Sequence, residues 1–147
     1  MNLIRVTKTY FDVWTELALE LWPNEDPEEM REVLIAEYEK PNIRAWLAME
    51  NEEYIGFINA SLRSDYVPGC EENSVGYVEG IYLRTKWRGK GYSRHLLKVA
   101  EDWARENGCT EMGSDALLEN TASHAFHQSV GFTEVERVVC FYKSLEE

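Results

Sequence analysis

Hydrophobic positions change period several times along the chain, and each change predicts an element. Leu3 to Val6 reads as a short strand. Trp14, Leu17, Ala18 and Leu21 then recur at spacings of three and four, the stripe of a helix over 10–22 that Pro23 ends. Asp26-Pro27-Glu28-Glu29 is a helix start, with Asp as cap, Pro at the first helical position and Glu29 closing a capping-box pattern. That helix runs to about Tyr38, because Pro41 disfavours helical geometry just before it. Residues 43–50 and 54–62 are strands around the polar turn Asn51-Glu52-Glu53, an antiparallel hairpin. A loop over 64–74 contains Pro68-Gly69, and 75–83 is a third long strand. A helix over 93–107 gathers Leu96, Leu97, Ala100, Trp103 and Ala104 on one face and stops at Gly108. A short strand over 111–115, a helix over 121–130 ended by Gly131 and a final strand over 133–142 complete the chain.

The order β-α-α-β-β-β-α-β-α-β predicts an α+β fold, a mixed and mostly antiparallel central sheet flanked by about four helices. No repeat, low-complexity tract or linker interrupts it, so residues 1–147 are expected to form a single domain. Hydrophobic residues make up 44% of the chain, enough for a core.

Charge narrows the choice of partners. A net charge of −12 repels nucleic acid and anionic membrane surfaces and attracts a cationic ligand. The distribution is uneven. Residues 84–98 hold Arg84, Lys86, Arg88, Lys90, Arg94 and Lys98, six of the 15 basic residues, and none of the 27 acidic ones. An anion-seeking island in a cation-seeking chain suits a protein with two ligands of opposite charge. Cys70, Cys109 and Cys140 are far apart and lack ligand spacing, so no zinc or other metal is expected, and reduced thiols in the cytoplasm are the simple reading. No basic start followed by an apolar run marks a secretory leader, and no apolar stretch approaches the length of a membrane span.

The basic island falls on a strand, glycine loop and helix. A helix N-terminus presents unpaired N–H groups and partial positive charge, and glycines before it let the backbone curl round an oxyanion. Gly89 and Gly91 supply that freedom, while Arg88, Lys90 and Arg94 add charge, a combination that suits a pyrophosphate. The spacing lacks the GxxxxGK[ST] of nucleoside-triphosphate loops and the GxGxxG of dinucleotide folds.

Arg88-Gly89-Lys90-Gly91-Tyr92-Ser93, preceded by Gly80-Ile81-Tyr82-Leu83-Arg84 and followed by Leu96-Leu97, resembles the central motif of the GCN5-related N-acetyltransferases. Thr85 stands where that family often has Pro, and Ser93 where Gly or Ala is usual. Glu119-Asn120-Thr121-Ala122, Phe126 and Gly131-Phe132 are similar to its later motif, with His127 where Tyr is frequent. Less chain follows Gly131 than the family's two further strands need, so the last strand is expected to be long and bent or completed across a dimer. The resemblance covers nearly the whole chain and implies acetyl-CoA as co-substrate, bound by Ile81, Tyr82, Leu83, Arg88, Gly89, Lys90, Gly91, Tyr92, Ser93, Arg94 and Asn120, and it implies a homodimer.

Within that family the chain is most similar to the aminoglycoside 6′-N-acetyltransferases, on Leu21-Trp22-Pro23, Ser64-Asp65-Tyr66-Val67-Pro68-Gly69-Cys70, Glu79-Gly80-Ile81, Ser114-Asp115 and Thr133-Glu134-Val135-Glu136-Arg137. This implies an aminoglycoside acceptor held by Trp22, Tyr66, Glu79, Asp115 and Glu136, and a role in antibiotic resistance. Strand alternation is expected to place Glu79 and Ile81 on one face. An amine attacks a thioester only as the free base, so a carboxylate must take its proton; Asp115 is the first candidate and Glu79 the second. The Leu83 N–H is expected to hold the thioester oxygen. His127 is either the acid that protonates the departing thiolate or a residue packed beneath the co-substrate. No cysteine has a His partner in these motifs, which favours direct transfer in a ternary complex. Two rivals remain at this stage: acetylation of another amine, such as a polyamine or a protein N-terminus, and a non-catalytic module that binds coenzyme A.

Overall fold

Five strands form one sheet, in the order β1-β2-β3-β4-β5, in the computed structural model, which describes residues 1–147. They are β1 (Asn2–Arg5), β2 (Ile43–Glu50), β3 (Glu53–Arg63), β4 (Val75–Leu83) and β5 (Met112–Ser114). Pairing is antiparallel except between β4 and β5. The helices are α1 (Phe11–Leu21), α2 (Pro27–Tyr38), α3 (Tyr92–Glu106) and α4 (Thr121–Ser129). The chain divides into two units, Met1–Asp115 with the whole sheet and α1 to α3, and Ala116–Glu147 with α4.

In the first unit, alternation along the strands feeds two apolar faces. On one, Trp14, Leu17 and Ala18 of α1 and Met30 and Leu34 of α2 pack with Ala45, Leu47 and Phe57 of the sheet. Trp14 is fully buried, and its indole N–H donates to Asn59 Oδ1 at 2.9 Å, which satisfies both buried polar groups. On the other face Trp103 of α3 meets Trp46, with ring centroids 5.8 Å apart. The helix start expected at Asp26 is present, its carboxylate accepting the Glu29 N–H at 3.0 Å.

The β2–β3 turn carries Asn51 at φ 50° and Glu52 at φ 63°, both left-handed. Two such residues between Glu50 and Glu53 match the twist of the hairpin, yet Glu at the second position holds a conformation that glycine adopts freely. Glu52→Gly is therefore expected to stabilise the fold by about 0.5–1 kcal/mol, read as a rise in Tm of roughly 1–4 °C.

The second unit corrects one expectation. Asn120 caps α4, its side chain accepting the Ser123 N–H at 3.1 Å, and Gly131 follows the helix at φ 100°. The final strand expected over 133–142 does not form; no regular element follows α4, and Val135, Val138, Val139, Phe141 and Tyr142 are exposed. β-branched and aromatic residues supply strand propensity, but a strand exists only when a neighbour takes its N–H and C=O groups. What bonding the segment has is local, as in the Arg137–Glu134 ion pair three residues apart.

Candidate active site

β4 leads into a 3-10 turn at Thr85–Trp87, the loop 88–91 and then α3. Gly89 has φ 77° and Gly91 φ 84°, conformations closed to most side chains, and a Cβ added at either would meet open space. Gly91 is the N-cap of α3 and offers no side-chain cap, and the first turn holds no acid. Its N–H groups and the positive end of the helix dipole are left to face an anion. Arg88 Nε donates to the Leu83 carbonyl at 2.7 Å, with its guanidinium 5.6 Å from the Tyr82 ring centre. Lys86 and Lys90 lie 5.1 and 5.2 Å from the ring centre of Trp87, whose buried Nε1 has no hydrogen-bond partner. Tyr92 packs against Trp87 at 6.0 Å between ring centres and bonds Glu50, while Ser93 and Arg94 lie in the first turn of α3.

The basic island does not act as one patch. Arg84 is held by Glu20 at 2.8 Å and Glu16 at 3.3 Å, and Lys98 by Asp102 at 2.7 Å. The Arg84 guanidinium holds the Glu20 carboxyl below its ordinary range. These two cations serve the fold, whereas Arg88 and Lys90 stay beside the glycines.

Two irregularities of β4 shape the cleft. β5 pairs with it only at Gly76, Tyr77 and Val78, so the edge from Glu79 to Leu83 is not covered by β5. The Arg84 N–H bonds the Ile55 carbonyl on β3 at 2.8 Å. Antiparallel alternation then turns the N–H of Leu83, opposite Gly56, away from β3 and toward that uncovered edge. The second irregularity is a bulge. Asn59 faces Gly80 and Ala60 faces Val78, which leaves Glu79 as the extra residue. Sequence alternation had placed Glu79 and Ile81 on one face, and the bulge overturns this. Ile81 pairs with Ile58, which pairs with Trp46 on the α3 face, whereas Glu79 is bonded to Ser61 and Arg63 on the side of α1 and α2.

On that side four residues expected to hold an acceptor are linked through their neighbours. Trp22, just past α1, packs over Gly80, where an added Cβ would come within 2.6 Å of its ring. Glu79 accepts from Ser61 Oγ at 2.6 Å and from Arg63 Nε and Nη2 at 2.9 and 2.8 Å. The Arg63 guanidinium lies 3.5 Å from the ring centre of Tyr77, and the Tyr77 hydroxyl donates to Asp115 Oδ2. Burial, followed by that bond to a carboxylate, pushes the Tyr77 hydroxyl well above the usual phenol range. Tyr66 stands exposed on a loop anchored by buried Val67 and by the Glu71 and Glu72 N–H groups, which both bond Glu111.

Sequence reasoning missed Arg63, Tyr77 and Glu37. Arg63 and Ser61 share a strand face with Asn59, a period-two signal that was available. Glu37 follows Leu34 by three positions, on the inward stripe of α2. Burial raises the Glu37 carboxyl above its ordinary value, and the charge of Glu79 adds to this.

In the second unit the His127 ring lies between Phe126 and Phe132, at 5.7 and 5.2 Å between centres. Its Nδ1 is 2.7 Å from the Ser123 carbonyl, which can only accept, so Nδ1 carries a proton. Asn120 Oδ1 is committed to its cap, and Glu136 lies on the exposed segment after α4. No group of three His, Cys, Asp or Glu side chains is arranged to hold a metal ion. No helix is long and apolar enough to cross a membrane.

The profile of the Acetyltransferase (GNAT) family matches residues 11–132. The aminoglycoside N(6′)-acetyltransferase type 1 of Stenotrophomonas maltophilia is 41% identical over 134 residues, spanning 90% of this chain and 86% of that protein. Its counterpart from Acinetobacter genomosp. 13 is 35% identical over 99% of both chains. Among solved structures, the aminoglycoside 6′-N-acetyltransferase AAC(6′)-IG of Acinetobacter haemolyticus superposes with a TM-score of 0.94 at 35% identity, over 99% of this chain and 100% of that one. AAC(6′)-Iy, in complex with the bisubstrate analogue CoA-S-monomethyl-acetylneamine, superposes at 0.92 with 33% identity over 97% of each chain. A strand whose uncovered edge runs into a glycine-flanked helix start, and a sequence match over most of the chain, lead to one conclusion: this chain belongs to the GNAT acetyltransferase family.

Proposed function

We propose that the chain is an aminoglycoside 6′-N-acetyltransferase, which moves the acetyl group of acetyl-CoA to the 6′-amine of an aminoglycoside by direct attack in a ternary complex. The observation that carries this reading is the double role of β4: its Leu83 end leads to the uncapped N-terminus of α3, and its bulge leaves Glu79 on the side of α1 and α2, bonded to Arg63, which stacks on the Tyr77 that holds Asp115. The family match across 11–132 favours one catalytic domain over residues 1–147. An acetylated amine no longer carries positive charge, so a polycationic antibiotic loses part of what binds it to its target, and resistance follows.

The residues divide the work. The first-turn N–H groups of α3, from Tyr92, Ser93 and Arg94, hold the pyrophosphate with Arg88, Gly89, Lys90 and Gly91. Ile81, Tyr82 and Leu83 line the arm that carries the thioester. Trp22 and Tyr66 stack on the aminated sugar, and Glu79 and Asp115 hold its ammonium groups. The N–C bond forms as the C–S bond breaks, charge gathers on the thioester oxygen at the Leu83 N–H, and the amine proton passes to Asp115. The sulfur leaves as a thiolate and is protonated as coenzyme A departs. The reaction belongs to the cytoplasm, where acetyl-CoA is available.

The test is thiol release from acetyl-CoA with kanamycin-type aminoglycosides, spermidine and a peptide N-terminus as acceptors. Release with the aminoglycosides alone is expected; release only with another amine, or saturable CoA binding without turnover, overturns the reading. Gly80→Ala should push Trp22 off the strand and raise the acceptor KM several-fold, as measured in the same assay. The working form is a homodimer, in which residues 133–142 gain strand pairing from a second copy and cover their exposed apolar side chains. Sedimentation should give twice the chain mass, and a chain truncated after Phe132 should sediment as a monomer.

A further inference from the structure

An acceptor site built from acids faces a conflict. Carboxylates that attract the ammonium also stabilise its charged form, yet the reaction needs the free base. The cation that answers this lies inside the site. Arg63, at the end of β3, takes both oxygens of Glu79 in a fork-to-fork pair at 2.8 and 2.9 Å, and stacks 3.5 Å above the ring of Tyr77. Tyr77 in turn donates to Asp115. A bidentate guanidinium and a ring stack fix orientation in a way that a flexible ammonium does not.

We propose that Arg63 is a positioning residue of the acceptor site: it fixes Glu79 and, through Tyr77, its spacing from Asp115, and its positive charge offsets the surrounding acids so that the bound amine can release its proton. Glu79 and Tyr77 of β4 touch Arg63, Asp115 after β5 lies beyond Tyr77, and Glu37 of α2 with neighbouring Lys40 lies beyond Glu79. Burial, and after it the charge of Glu79, raises the Glu37 carboxyl above its ordinary value, so the acids here already crowd one another. Without Arg63 the bound amine would hold its proton to higher pH.

This assignment rests on acetyl transfer to an amine, which wild-type thiol release tests by itself; only the Arg63 variants test the assignment. Arg63→Gln and Arg63→Lys are compared with the wild type for kcat and acceptor KM between pH 6 and 9.5, with circular dichroism and Tm as checks on folding. For Arg63→Gln the acidic limb of the kcat profile should move up by about one pH unit. Its kcat should fall about tenfold near neutral pH and recover at pH 9, with an acceptor KM no higher than that of the wild type. Arg63→Lys keeps the charge and should keep the limb at the wild-type pH while losing part of kcat with the fork geometry. A folded Arg63→Gln with an unmoved limb overturns the proposal, as does a uniform loss at all pH with raised KM, or a Lys variant whose limb moves like that of Gln.

Discussion

Asp115→Asn is expected to lower kcat by roughly 10²-fold with little change in the KM for acetyl-CoA. The substitution is nearly isosteric, and the amide oxygen still accepts the Tyr77 hydroxyl, so the network of Arg63, Tyr77 and residue 115 stays in place. What is lost is the ability to take a proton. Asp115 is better placed for that task than Glu79, whose two oxygens already accept three hydrogen bonds from Ser61 and Arg63. Only Oδ2 of Asp115 is engaged by the protein. Steady-state thiol release across pH decides the matter. Full turnover by Asp115→Asn at every pH, with collapse of Glu79→Gln instead, would reassign the base.

The second large effect concerns the other ligand. Gly91→Val places a β-branched residue at φ 84°, a conformation that costs about 1–3 kcal/mol for such a side chain, and at the point where the N–H groups of α3 fan out. The helix start can relieve this strain only by rotating those groups. Because each charge-assisted hydrogen bond to an oxyanion is worth roughly 1.5–3 kcal/mol, the loss of one or two should raise the Kd for CoA at least tenfold. Calorimetry with CoA reads this directly, and Tm should fall by several degrees. Unchanged CoA affinity in Gly91→Val would remove the loop from pyrophosphate binding.

Several parts of the fold were legible before any coordinates because they depend on near neighbours. The stripe from Leu96 to Ala104 specifies a helix that Gly108, at φ 84°, stops, and Asp26-Pro27 starts another. The glycines at 89 and 91 announced the anion cradle for the same reason, since only residues free to take positive φ can turn the backbone that way. The charge island was only half informative. Arg84 and Arg88 read alike in sequence, but the acids that claim Arg84 lie on α1, more than sixty residues earlier.

The bulge at Glu79 lies between these cases. Gly80 inside a strand is a known sign of a bulge, yet nothing local says which residue becomes the extra one. The register with β3 decides that, and with it the face on which the acid appears. The strand expected over 133–142 failed for a related reason. Its residues favour extended backbone, but pairing is a property of the neighbour.

The sequence by itself determined where helices begin and end, where the backbone must turn through positive φ, and that a basic glycine loop sits within an acidic chain. Those features arise from interactions within a few residues, whose geometry is set by covalent structure and short-range sterics. The tertiary structure alone decided that Glu79 leaves its expected face, that Arg63 and Tyr77 tie it to Asp115, and that β4 has an edge which β5 leaves open. Each depends on strand register, which is fixed by the packing of the whole sheet between its helices.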